Sequence, residues 1–371
     1  MVDVVRIANH LRKYLLLYVF LVIAIALPIG YYNANYFRAH EELVKNLILS
    51  LAIGTLLPSM IQLRAEKMSK ELRSKWRETI IALITIFLIT PAIAIFFASH
   101  IGNRPIEVGY IAANSVPASS ASVAYVMLAG GNIELATVLI ILSILITLFA
   151  APLYISMYAQ SVHINLPIIV LAKSVTIALL VPLILGQIIR YYIVVRRSKK
   201  IAKDPRAILN CKEKVMTDLK TGETFSNDEK VIKCLEKRTL TRLKPILSIW
   251  TMTFMLALIA LLIANKARLL ISKPSLVTYI LSAQLGIYAI IILFLLAASK
   301  TLNIEYRDHM AAAFISLTKN ESVAAAMAVL AIGSTAAIPA ALIPTIQPIV
   351  AILYVSAAPI IKKILKSGDK H

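Results

Sequence analysis

Cysteine is nearly missing from this 371-residue chain: two residues exclude a disulfide framework and any cysteine-rich metal module. Glycine and proline, 11 and 15, are too few for a fibrous or low-complexity protein. Charge is scarce at 16%, and acidic residues are scarcest, with Asp and Glu at 19 against 39 Lys and Arg, a formal net charge of +20. In a soluble chain that imbalance would point first to nucleic acid. Hydrophobic residues make up 59%, however, and the mean hydropathy is +0.80. The expected partner is therefore the lipid bilayer and not nucleic acid. No phosphate loop, GxSxG or HExxH occurs, which argues against an ATP-driven pump or a membrane hydrolase. The chain reads as a non-enzyme without cofactors, apart from Na+ or H+ as a coupling ion.

A hydrocarbon core of about 30 Å needs roughly 20 apolar residues per helix. Ten such runs are present, at 14–34, 43–63, 79–99, 106–129, 133–158, 167–195, 246–265, 276–299, 309–332 and 337–361. They are continuously apolar and rich in Leu, Ile and Ala, so they predict helices and not the alternating strands of a barrel. The first run lacks a small-residue cleavage site, so no cleavable signal is expected. If the N-terminus is cytoplasmic, thirty-one Lys and Arg fall on inward segments and six on outward ones, with Lys173 and Lys319 inside spans. That asymmetry predicts a multi-pass protein of the cell membrane with both termini in the cytoplasm. Cys211 and Cys234, with 22 residues between them, read as two incidental reduced thiols, and Asp218–Phe225 as a turn between short extended pieces.

The expected fold class is all-α integral membrane, ten helices arranged as two inverted five-helix repeats. Residues 1–195 hold the first repeat and the start of the second (spans 1–6), 196–244 form a basic cytoplasmic connector, and 245–371 carry spans 7–10. An odd number of spans per half turns the second half over relative to the first, the plan of many secondary transporters. A trace of repetition supports it. Ser122-Val123-Ala124 precedes Leu128-Ala129-Gly130-Gly131 in the fourth run, and Ser322-Val323-Ala324 precedes Leu330-Ala331-Ile332-Gly333 in the ninth.

Those two runs are also the most polar. The fourth carries Asn114, Ser115, Pro117, Ser119, Ser120 and Ser122; the ninth carries Ser316, Thr318, Lys319, Asn320, Glu321 and Ser322. Pro117 removes a backbone donor, and hydroxyls compete for the carbonyls around it. Both spans are therefore expected to be discontinuous. A charge at the bilayer centre costs at least about 2.5–3.5 kcal/mol, which makes Lys319 and Glu321 functional candidates. Two residues apart, they point roughly 200° from each other on a regular helix and need separate partners or an unwound segment. Lys319 is the candidate counter-ion of an anionic solute, and Glu321 the candidate for ion coupling, joined by Asn114. Lys173 fits a snorkelling side chain, Gln284 and Gln347 fit path-lining groups, and His100, His163 and His309 fit interface histidines at span ends.

The run Pro117-Ala-Ser-Ser-Ala-Ser-Val-Ala-Tyr-Val-Met-Leu-Ala-Gly-Gly-Asn-Ile-Glu-Leu-Ala136 resembles the fourth-span signature of the bile acid:sodium symporter superfamily, which includes arsenite efflux carriers. Thr318–Met327 looks like its partner in the ninth span, and Pro339–Pro348 is similar to the last span. The resemblance implies a panel domain and a core domain, with the fourth and ninth helices crossing in the core. It places Ser119, Ser120 and Ser122 at one crossing and Thr318, Lys319, Asn320, Glu321 and Ser322 at the other, as substrate-binding and coupling residues. Sodium-coupled members typically have Asn where this chain has Val123, and an acidic residue and Gln at Ile315 and Lys319; arsenite carriers have Cys near Ala118. The function implied is ion-coupled secondary transport of a small anionic or weakly acidic solute. The alternatives are an arsenite or oxyanion efflux permease, or a non-transporting membrane receptor or sensor. Oligomeric state is not implied.

Overall fold

A computed structural model describes residues 2–62, 72–164, 166–198 and 227–366, and these are helical with no strand among them. An amphipathic helix, α1 (Val2–Lys13), leads into α2 (Leu15–Tyr32), α3 (Glu41–Gln62) and α4 (Trp76–Ala98). The fourth run forms two short helices, α5 (Arg104–Ser115) and α6 (Ser122–Leu128). Three long helices follow: α7 (Ile133–Ser161), α8 (Ile168–Arg196) and α9 (Asn227–Asn265). After α10 (Pro274–Thr301), the ninth run is again two pieces, α11 (Tyr306–Leu317) and α12 (Glu321–Ala331). Ser334–Ser356 and Ala358–Lys366 complete the described chain.

Eight of the ten predicted runs thus fall on helices long and apolar enough to cross a membrane, and the other two are interrupted. Some boundaries differ from expectation. Helix α9 starts at Asn227, well before 246, because the Lys, Arg, Glu and Leu of the connector's last third are good helix formers that need no apolar face. In the last run Pro339, Pro344 and Pro348 each remove a donor, and the segment alternates between 3-10 turns and α-helix. Cys234 is disulfide-bonded, correcting the reduced thiol expected there. Cys211 and the turn expected at 218–225 lie outside the described residues.

Burial sorts the helices by depth. Large apolar side chains such as Phe20, Phe149 and Leu293 are exposed, as lipid-facing groups would be, whereas nearly every residue of α11 and α12 is buried. The alanines at 311–313 and 324–326 let neighbouring backbones approach that central pair closely. The tightest approach is at Gly109 of α5, where a Cβ would overlap the Ala336 carbonyl. His309 is fully buried, correcting its reading as an interface residue. Its Nδ1 pairs with Ser299 Oγ and its Nε2 with Tyr354 OH, both at 2.7 Å, so it braces three segments.

Candidate functional site

The interruptions of the fourth and ninth runs meet each other. Val116 and Thr318 leave the helical region for extended φ/ψ, which exposes backbone groups that must find partners inside the protein. They find one another: Ser119 N donates to Thr318 O and Asn320 N donates to Pro117 O, both at 2.9 Å, closing an antiparallel bridge between Ala118 and Lys319. Side chains reinforce it. Ser122 Oγ contacts Thr318 Oγ1 and donates to Ser119 O, and Ser143 Oγ on α7 accepts from Ala118 N at 3.1 Å. From the last run, Gln347 Oε1 accepts from Lys319 N at 3.0 Å. Each second half-helix begins at the repeated Ser-Val-Ala element and ends just before a glycine at positive φ, Gly130 (69°) or Gly333 (129°).

The structure therefore brings Ser119, Ser122, Thr318, Lys319 and Asn320 together. Ser120 is exposed and shares a narrow cleft with Asn320, Ser59 and Met60 of α3. Ser322 is buried one residue into α12, and Asn114 lies one turn before the break on α5, paired elsewhere.

Lys319, in the extended break, and Glu321, at the start of α12, find different surroundings. The Lys319 side chain, 2% exposed, reaches α4, where Nζ donates to Ile86 O at 3.5 Å. That carbonyl is available for a specific reason. Thr85–Ile89 is a π-turn in which Thr90 N–H bonds Thr85 O, bypassing Ile86, and residue 91 is proline and has no N–H to offer. The same proline frees Phe87 O, which Tyr154 OH captures. Glu321 is 8% exposed, and neither carboxylate oxygen has a hydrogen-bond partner among the described residues. Tyr110 of α5 and Tyr288 of α10 also carry buried hydroxyls without a close hydrogen-bond partner among the described residues. Asn114 and Gln284 pair beside them through reciprocal bonds of 3.1 Å.

A second polar contact holds the entrance to α11. Asp308, 1% exposed, takes Lys75 Nζ at 2.6 Å and the Asn132 amide at 2.8 Å. The hydrogen bond that Lys75 donates to Asp308 leads the causes that raise the Lys75 ammonium's pKa above its ordinary value. Sequence reasoning passed over Asp308, Tyr110, Tyr288 and the Ile86 carbonyl. The four-residue spacings Tyr110/Asn114 and Gln284/Tyr288, each on one helix face, were the available signal.

Residues 47–210 match the Sodium Bile acid symporter family, a stretch that runs from α3 through the first interruption. A probable sodium/metabolite cotransporter of Arabidopsis thaliana, BASS4 of the chloroplast, is 31% identical over 140 residues, which is 37% of this chain and 32% of that protein. The chain therefore spans about a third of the length of the curated relative it matches. The chain is thus similar to the sodium bile acid symporter family over residues 47–210, somewhat less than half of its length.

Proposed function

We propose that the chain is a secondary active transporter that moves a small anionic or weakly acidic solute by alternating access, coupled to Na+ or H+. The observation that carries this reading is the bridge between two interrupted helices, Pro117–Ser119 against Thr318–Asn320, with the buried Lys319 side chain beside it. Lys319 Nζ makes one long bond among the described residues, so an ammonium with three donors keeps capacity for a carboxylate. The N-terminus of α12 adds the partial positive charge of its free amides. Ser119, Ser120, Ser122, Thr318, Lys319, Asn320 and Ser322 form the solute site on this reading, and Glu321 with Asn114 serves ion coupling.

The eight continuous and two interrupted spans form two inverted five-helix repeats, with the interrupted helices in a core domain and a panel domain beside it. Matching half-helix starts and glycine ends in the two interrupted spans support the repeat. The basic asymmetry of the loops supports a cell-membrane protein with both termini in the cytoplasm. The family description and the relative's name favour sodium.

Purified protein in liposomes tests the reading, with labelled mono- and dicarboxylates and arsenite offered under sodium or pH gradients. Gradient-driven carboxylate uptake is expected, and it should survive removal of residues 201–226. Uptake of arsenite alone would favour the oxyanion permease; no flux of any solute would favour a sensor.

A further inference from the structure

The end of the bundle where α1, α8 and α9 meet carries a cavity that takes no part in the bridge between the interrupted helices. It holds about 260 Å³, and its apolar walls are Val4 and Val5 of α1 with Leu243, Pro245 and Ile246 of α9. Its polar side is Arg197, just past the end of α8, with Arg242 and Thr239 of α9. The Thr239 hydroxyl already donates to Leu235 O at 2.9 Å, so the donors left for a ligand are the two guanidiniums. Other arginines at this end are engaged. Arg12 donates to Ser248 Oγ at 3.1 Å, Arg190 lies 3.9 Å from Glu236, and the Arg196 guanidinium lies over the Tyr192 ring. Arg197 and Arg242 are exposed and have no hydrogen bond or ion pair among the described residues. No acidic residue is among those lining the cavity, so the counter-charge it lacks is an anion from outside.

The surroundings say which anion. Past Arg242 and Lys244, α9 turns apolar, and Ile246 and Trp250, one turn apart, are exposed at 50% and 40%. Tyr191 and Tyr192 are exposed at the end of α8. Aromatic rings where an apolar span gives way to basic residues mark the headgroup layer of a bilayer. Helix α1 has Val5 and Ile7 exposed and His10, Arg12 and Lys13 in its last turn, the composition of a helix lying along that layer. At about 260 Å³ the cavity is below the roughly 300–1,000 Å³ of a pocket for a drug-sized molecule, which suits one headgroup with its chains outside.

We propose that Arg197 and Arg242 bind the phosphate of an anionic phospholipid, with Val4, Val5 and Ile246 against its glycerol backbone and first methylenes. A guanidinium matches a phosphate through two parallel hydrogen bonds, which a lysine could not supply. Bound there, the lipid joins α1 to the ends of α8 and α9 and fastens the amphipathic helix to the bundle. The site is independent of the solute and of the coupling ion.

The chain has two tryptophans, Trp76 and Trp250, so Trp76→Phe leaves Trp250, one turn from Ile246, as the reporter. The full chain with this change is reconstituted in mixed vesicles of phosphatidylglycerol and phosphatidylcholine, one lipid or the other brominated on its chains, and quenching of Trp250 reads their relative affinity. Phosphatidylglycerol should be preferred about tenfold, the effect of charge-assisted hydrogen bonds at a wet site. Arg197→Gln or Arg242→Gln should each lower that preference about threefold, and the double variant should abolish it. Both side chains are exposed, so the fold survives their loss. Lys363→Gln, the same change of charge on an exposed residue of the last helix, should leave the preference intact. Equal quenching by the two lipids, or an equal loss in Lys363→Gln, would overturn the proposal. So would a preference that millimolar inorganic phosphate removes, which would make the ligand a free anion, or one that emerges only when residues 201–226 are deleted, which would make the chain itself the occupant.

Discussion

Asp308 is a carboxylate with almost no exposed surface, and its partners Lys75 and Asn132 come from the start of α4 and the cap of α7. Removing the buried carboxylate leaves Lys75, 26% exposed and still 3.8 Å from Glu305, with part of its compensation, at about 1–3 kcal/mol. Asp308→Asn is expected to lower the stability of the detergent-solubilised protein by roughly that amount in thermal or denaturant unfolding. The pH dependence has a definite sign. Because the folded pKa of Lys75 is raised, the pair's contribution is complete below the ordinary lysine value of 10.5 and is lost as pH climbs through the higher folded value. Wild type should therefore show an alkaline loss of stability that Asp308→Asn lacks; equal slopes would contradict the pairing. At this scale the sequence was partly legible. Lys319 and Glu321 stood out because ionisable groups in an apolar run are expensive, and both are buried. Tyr110 and Tyr288 did not stand out, because a phenol in a membrane helix packs equally well as an apolar ring. His309 was misjudged because its position in the run gave no sign of partners from α10 and the last segment.

Among the elements, the interruptions were readable from composition: proline and hydroxyls in one run, adjacent charges in the other. The π-turn of α4 was not, since a single proline after a threonine is compatible with an ordinary helix. It has a consequence that can be measured. Pro91→Ala returns an N–H to the segment, lets Ile86 O or Phe87 O rejoin the backbone ladder, and leaves the Lys319 ammonium to find another acceptor. Helix stability should hold or rise while solute flux falls about tenfold, the equivalent of one hydrogen bond to a charged group. Unchanged flux in that variant would detach Lys319 from α4. Gly333 gives a second test. Its φ of 129° and ψ of 173° are open only to glycine, so Gly333→Ala should destabilise by about 1–3 kcal/mol. Gly102, at φ 71° with open space around its Cβ position, should tolerate the same change better. Equal losses at the two sites in an unfolding series would show that Gly333 does not terminate α12 as described.

For the molecule as a whole, hydropathy and loop charge located eight spans that the helices bear out, because length and apolarity are local properties. Which helices lie at the centre was less legible, since burial of α11 and α12 follows from close packing of alanines contributed by distant parts of the chain. Sidedness can be tested directly. In a background with Cys211 and Cys234 replaced by serine, single cysteines at Gly102 or Lys273 should react with an impermeant maleimide on intact cells. One at Lys363 should react only after permeabilisation; the reverse pattern would invert the protein in the membrane. The most direct measurement of the central claim is solute flux in liposomes containing wild type, Lys319→Ala or Glu321→Gln protein, each shown by gel filtration to be folded. The account predicts gradient-driven uptake by wild type and uptake at the level of empty liposomes in both variants. Full uptake in either variant would contradict it, because the two buried charges would then have no part in moving solute.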